Sequence, residues 1–324
     1  MTVDDNAPDE EAPPPLWARL LILLVTVVVG IGMCEGIVRW KSGNAVPHVQ
    51  IFELREGALR LQPNASLKLM RPDHERWTLT TDDQGFRSSD ASTGWLVVGD
   101  SQVLGMGVPD EAAFPALLGA HNSGVPGFSL DDALQLADQH ADTVEGVVVV
   151  VNQANDWEEV GLPALDRYAV CGGRLVLLDS PAWRCGWLGS APTRLQLVYF
   201  ASLALLPRPA PTAWIAPQPK DTAELRAAVR VFREAHPDLP VLSVFLPVDY
   251  TTSAQRGTDS PFAGHFKGRP WEEPSLNEEL AMDVDLRPFL LEPGNFQTGD
   301  YHLSELGHER VAEALRDALD ARFP

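Results

Sequence analysis

The sequence predicts an α/β protein: a three-layer α/β/α sandwich around a central parallel sheet, preceded by an N-terminal transmembrane helix. Three observations carry this. Residues 95–98, 146–151 and 241–246 are continuous apolar runs of strand length, the pattern of parallel strands covered on both faces. Helical periodicity fills the intervals at 112–118, 130–139 and 222–236, so each strand is followed by a crossover that returns to the same sheet. Residues 16–40 form an apolar stretch interrupted only by Arg19, Glu35 and Arg39.

Taken in order, residues 1–15 are acidic and end in three prolines. They have nothing to bury and read as a disordered tail. In the anchor, 16–40, Trp17 and Trp40 stand roughly 34 Å apart on a helix, the spacing of interfacial aromatics across a bilayer. The segment before it is acidic and no Ala-x-Ala site follows, which favours an anchor over a cleaved signal. Arg19 precedes the apolar core whereas Arg39 and Lys41 follow it, a count that alone leans toward keeping the following chain on the cytoplasmic side. Residues 41–92 alternate apolar runs (49–54, 59–61, 66–70, 77–80) with turn residues, giving a β-rich juxtamembrane segment. The turn at 83–87 leads into the first core strand. The main domain is 93–324, with a proline-rich insertion at about 160–220 forming a cap or rim. Its last helix starts after Ser304 as N-cap, with Val311, Leu315 and Leu319 on the inner face.

Composition excludes several functions. With a net charge of −20 and 45% hydrophobic residues, the chain folds but offers no basic surface for nucleic acid. No Cys-x-x-Cys or His-Glu-x-x-His occurs, so no metal is expected. Gly105-Met106-Gly107 lacks the spacing and the lysine of a phosphate loop, and no cofactor is expected.

The chemistry concentrates where the first core strand stops at Gly99-Asp100-Ser101. A serine placed there sits at the sheet rim, but it is a poor nucleophile without a base and an oxyanion site. Asp300-Tyr301-His302 supplies an imidazole with a carboxylate two residues before it, and in an extended segment such residues face the same side. Gly127 and Asn155, in the two intervening loops, are oxyanion-hole candidates. Each also has a plainer reading: Ser101 as a helix cap, Asp300 as an acid drawn to a helix N-terminus, Gly127 as a turn glycine, Asn155 as a loop amide. His308 is the rival base.

The blocks Gly99-Asp100-Ser101, Asn122-Ser123-Gly124-Val125-Pro126-Gly127, Asn155-Asp156 and Asp300-Tyr301-His302, in this order, resemble the SGNH/GDSL hydrolase family in its membrane-anchored bacterial form. The resemblance covers about 77–324. Two positions depart from the family pattern: Gln153 stands where a glycine is usual, and Gly299 takes the usual acid position, leaving Asp300. The resemblance implies an SGNH/flavodoxin-like fold and an acyl-enzyme mechanism. Ser101 is then the nucleophile, His302 the base and Asp300 the residue that orients it, with the Ser101 and Gly127 N–H groups and the Asn155 amide forming the oxyanion hole. It further implies an ester substrate, with O-acetyl groups of cell-envelope carbohydrate as the leading expectation. O-acetyl transfer, a silent carbohydrate-binding scaffold and a lipid esterase are the alternatives. A single-pass protein of the bacterial inner membrane with its catalytic domain outside follows from the same likeness. Asp100 and Asp156 are expected to brace loops and Trp157 to line the pocket. Cys171 and Cys185 form a disulfide if that compartment is oxidising and stay two thiols otherwise.

Overall fold

The computed structural model describes residues 15–46, 48–71, 75–153, 155–178, 185, 196–197, 219–247, 281–290, 292–298 and 300–324. Expectations for the acidic tail, for most of the insertion beyond residue 178 and for the Trp157 side chain lie outside the described residues.

Helix α1 (Leu16–Ser42) is apolar on all sides, and among its residues only Ser42 is buried. It is long and apolar enough to cross a membrane. Its Leu, Ile and Val side chains are exposed among the described residues. Near its C-terminal end Glu35 accepts hydrogen bonds from the backbone N–H groups of Gln196 (3.0 Å) and Leu197 (2.7 Å) and pairs with Arg39. Ser42 Oγ donates to Gln196 Oε1 at 2.7 Å. A carboxylate in an apolar helix is thereby satisfied.

Two antiparallel hairpins follow: β1 (Phe52–Arg55) with β2 (Ala58–Leu61), and β3 (Ser66–Met70) with β4 (Arg76–Thr80). Their inward residues Leu59, Leu61, Leu69, Trp77 and Leu79 share one apolar core with strands of the main sheet.

That sheet contains β5 (Trp95–Val98), β6 (His121–Asn122), β7 (Gly146–Asn152), β10 (Val241–Leu246) and β11 (Val284–Asp285), in the spatial order β11-β10-β7-β5-β6. Every pairing in it is parallel. Alternation along β7 sends Val147, Val149 and Val151 to one face and Val148 and Val150 to the other, and both faces are buried. The first face is covered by α4 (Leu130–His140) and α7 (Pro219–Ala235) through Leu134, Leu225, Val229 and Phe232. The second is covered by α3 (Phe114–Leu117) and α9 (Glu305–Arg322) through Phe114, Val311 and Leu315. The three-layer sandwich is as the sequence predicts, and Ser304 caps α9 by accepting the Gly307 N–H at 3.1 Å. Helix α3 is shorter than expected, because Asp110–Ala112 forms a 3-10 turn and Pro115 lies at its second position.

The remaining short elements line the sheet's carboxyl edge: α2 (Ser101–Leu104), α5 (Asp156–Glu159), α6 (Ala164–Arg167) and the hairpin β8 (Tyr168–Cys171) with β9 (Arg174–Leu177), while α8 (Arg287–Leu290) follows β11. Cys171 and Cys185 are joined by a disulfide, with Cα atoms 5.0 Å apart.

Arg87, fully buried, links the hairpins to the sheet. Its Nε pairs with Asp110 at 2.7 Å, its Nη atoms donate to the carbonyls of Leu104, Gly105 (2.7 Å) and Val108 (2.6 Å), and its own N–H donates to Asn122 O at 2.9 Å. Asp110 also accepts from the Thr80 N–H at 3.2 Å. Removing one partner of such a buried pair leaves the other uncompensated. Arg87→Met is therefore expected to lower unfolding free energy by about 3–5 kcal/mol in urea titrations of the detergent-solubilised chain. A loss under about 1 kcal/mol, the usual size for a surface pair, is the contrary result.

Candidate active site

β5 ends at Val98 and the chain turns through Gly99 into α2, whose first residue is Ser101. Asp100 caps this helix, accepting the Gln102 N–H at 2.9 Å. Its other oxygen accepts from Asn152 Nδ2 at 2.6 Å, at the end of β7. Asp156 in turn accepts the Asn152 N–H at 2.5 Å. Burial raises the pKa of Asp100, and burial together with the Asp100 charge raises that of Asp156 well above the usual carboxylate range. Both aspartates brace the loops, as their sequence reading holds.

On the opposite side the segment before α9 brings His302 to Ser101. His302 Nε2 lies 2.9 Å from Ser101 Oγ, and His302 Nδ1 lies 2.8 Å from Asp300 Oδ1, which also accepts the His302 N–H at 3.3 Å. The two-residue spacing thus suffices for the carboxylate to reach the ring. Burial alone would depress the His302 pKa, but the charge and hydrogen bond of Asp300 outweigh it and leave the imidazole above its ordinary value. Asp300 is held below the carboxylate range: the charge and hydrogen bond of His302 overcome the effect of burial. The ring of Tyr301 stacks on His302 with centroids 4.5 Å apart.

His308 plays a different part. Its Nδ1 accepts the Phe114 N–H at 3.2 Å and its ring stacks on Phe114. Burial, with Arg87 and His302 nearby, drives its pKa down to about 3. It is a neutral packing residue of the α3–α9 interface.

The two remaining blocks flank the turn at Ser101. Ser123 N–H donates to Val97 O and Val125 N–H to Gly99 O, both at 3.1 Å, which lays the loop bearing Gly127 beside β5. Gly127 has φ of 87°, a left-handed conformation open to glycine, and a Cβ there would approach Leu175 Cδ1 to 3.0 Å. Asn155 follows β7. Its amide nitrogen donates to Phe128 O at 3.1 Å and to Glu159 Oε2 at 2.9 Å, while its Oδ1 is buried without a partner. Gln153 is buried too, and its N–H extends the β7–β10 ladder to Leu246 O.

Sequence reasoning passed over Glu159 and Arg167. Arg167 pairs with Glu159 and donates to Gly127 O at 2.7 Å, so Gly127 and Asn155 are joined through these two side chains. Burial pushes the Glu159 carboxyl up to about 7, against the pull of Arg167 and the Asn155 hydrogen bond. Gln102 and Gln297, both buried, also escaped notice; they contact the backbone around His302. No motif distinguishes these four residues: Gln102 and Arg167 reach groups in distant loops, and the nearer partners of Glu159 and Gln297 follow no regular spacing. Among the described residues no group of His, Cys, Asp or Glu is placed to hold a metal ion.

No protein-family model matches the chain, and no curated protein matches it in sequence. Solved structures similar to it include a lipase/acylhydrolase from Enterococcus faecalis (13% identity, 70% of this chain and 95% of that one, TM-score 0.38). A Streptococcus pneumonia protein described in terms of platelet activating factor shares 15% identity over 70% of this chain and 84% of its own, with a TM-score of 0.38. A Lactobacillus plantarum protein shares 12% over 73% and 100%, with a TM-score of 0.34.

The electrostatics make a direct prediction. An NMR titration of the histidine rings is expected to place the His302 midpoint above the ordinary value of about 6.5 and to show it falling in Asp300→Asn. His308 is expected to stay neutral down to about pH 3. A His302 midpoint unmoved by Asp300→Asn contradicts the pairing.

Proposed function

We propose that this chain is a membrane-anchored serine esterase of the SGNH type, acting through a Ser101-His302-Asp300 acyl-enzyme mechanism. The observation that carries the reading is the continuous relay from Ser101 Oγ through both ring nitrogens of His302 to Asp300, with steps of 2.9 and 2.8 Å. A hydroxyl held against a neutral imidazole whose other nitrogen is fixed by a carboxylate is an activated nucleophile.

In the first half-reaction Ser101 Oγ attacks the ester carbonyl carbon as its proton passes to His302 Nε2. The imidazolium, stabilised by Asp300, then protonates the departing alkoxide. In the second half, water attacks the acyl-enzyme, His302 takes its proton, and the proton returns to Ser101 as the acid leaves. The negative oxygen of each tetrahedral intermediate is assigned to the N–H groups of Ser101 and Gly127 and to the Asn155 amide. In the resting site both Asn155 amide hydrogens are in use, so the oxyanion takes over the one now held by Glu159.

The substrate assigned here is an O-acyl, chiefly O-acetyl, group on cell-envelope carbohydrate. An esterase held beside a bilayer by α1 meets envelope polymers in place, and a relay that transfers an acetyl group needs no large acyl tunnel. The domain is assigned to the outer side of the bacterial inner membrane, an orientation that the Cys171–Cys185 disulfide supports, since such bonds persist in oxidising compartments.

A fluorophosphonate probe is expected to label the wild-type chain and to leave Ser101→Ala unlabelled at an unchanged melting temperature. Labelling of Ser101→Ala refutes the nucleophile assignment. His302→Ala is expected to lose as much acetyl-ester turnover as Ser101→Ala, with the double variant scarcely worse, because the two act as a unit. An alkaline phosphatase fused after Pro324 is expected to be active in cells; an inactive fusion places the domain in the cytoplasm and removes the case for envelope carbohydrate.

A further inference from the structure

An acid two residues before the base raises a mechanical question. Where the carboxylate of a triad comes from a separate element, it also moors the imidazole to the rest of the fold. Here Asp300 and His302 lie on one short segment and bond to each other in both ring and backbone. The acid orients the ring within that segment, but it cannot fix the segment's distance from Ser101. Some other contact must do that, and a misplacement of about 1 Å in a reacting group costs on the order of 100-fold in rate.

The contact is the side chain immediately after the nucleophile. Gln102, 1% exposed, sends its amide across to the other loop. Its Nε2 donates to Tyr301 O at 3.0 Å and its Oε1 accepts the Leu303 N–H at 3.1 Å. These are the peptide groups on either side of His302. The Gln102 backbone is itself set by Asp100, which accepts its N–H at 2.9 Å, so one residue spans from the nucleophile's helix cap to both flanks of the base. Gln297 completes the frame. Its N–H donates to His302 O at 2.8 Å, and its Nε2 donates to Leu303 O at 2.8 Å and to Met106 O at 2.5 Å, in the loop that follows α2. Gly107 leaves the room for this amide: a Cβ at that position would lie 2.4 Å from the Gln297 side-chain nitrogen.

We propose that Gln102 is the positioning residue that sets His302 at proton-transfer distance from Ser101, with Gln297 as its support. The chemistry requires an amide. One partner is an acceptor and the other a donor, so the side chain must donate and accept at once, and among residues of this length only glutamine does both. Glutamate turns an acceptor toward Tyr301 O; methionine keeps the shape and loses both bonds.

The inference rests on the esterase reading, and the test separates the two. Wild type, Gln102→Glu, Gln102→Met and Gln297→Met are compared for fluorophosphonate labelling rate and for kcat and KM on p-nitrophenyl acetate, well below their melting temperatures. Both Gln102 variants are expected to lose 10- to 100-fold in kcat and in labelling rate, with KM within about twofold. Gln297→Met is expected to lose less. In the Gln102 variants the NMR titration midpoint of His302 should stay near the wild-type value, because the Asp300 pairing is local to that segment. If Gln102→Glu fails to fold, Gln102→Met carries the measurement. A labelled wild type beside folded Gln102 variants that keep wild-type kcat, whatever their melting temperature, overturns this inference alone. A wild type that takes no label overturns the esterase reading and this inference with it.

Discussion

The structure depends on a guanidinium with no access to water. Arg87 comes from the turn after β4, yet its donors go to the loop following Ser101 and to Asp110. A buried cation is tolerated only where its N–H groups find partners and a counter-charge stands beside it. That requirement forces three separate pieces of chain to converge: the β1–β4 hairpins, the loop after Ser101 and the 3-10 turn at Asp110–Ala112. Arg87 also bridges in backbone to Asn122 on the edge strand β6. The hairpins are thus part of the scaffold that shapes the turn at Ser101, and the apolar core they share with the sheet is the packing counterpart of the same constraint.

The parts of this fold legible in the sequence are those whose signal is local. Strands β5, β7 and β10 are unbroken apolar runs because helices cover both their faces, and α4, α7 and α9 show the period of one buried stripe. The edge strands β6 and β11 were not legible. Each is two residues long, too short to hold a period, and His121-Asn122 becomes a strand only because β5 offers it a ladder. The same division runs through the site. Ser101, His302 and Asp300 sit in short motifs, and the structure brings them into one relay. Gln102 acquires its role from groups 199 and 201 residues away and Arg167 from Gly127, 40 residues away, while Glu159 meets Asn155 and Arg167, 4 and 8 residues away, across a turn that carries no motif. A buried glutamine and an ion pair look alike in any sequence.

Charge inside the site is arranged in layers. Next to Ser101 lie Asp100 and Asp156, linked through Asn152, with burial opposing ionisation of both. Beside it, Asp300 is ionised more readily than an ordinary carboxyl because the imidazole shares its field. The charges of Asp300 and Asp100 both favour protonation of His302, and the four carboxyl groups differ in their partners: amides and backbone N–H groups for Asp100 and Asp156, the imidazole for Asp300, a guanidinium for Glu159.

The hairpin β8–β9 has a consequence for how such a protein can change over time. Its Tyr168 and Leu175 side chains are what a Cβ at Gly127 would meet, its turn is fastened to β1 where the Phe52 N–H meets Gly173 O at 2.9 Å, and the disulfide ties it to Cys185. Further along, Gln196 and Leu197 are held instead by Glu35 and Ser42 of α1. A change in β1 or at Cys185 therefore reaches the surroundings of Gly127 through this hairpin, although neither belongs to the sequence blocks of the candidate site.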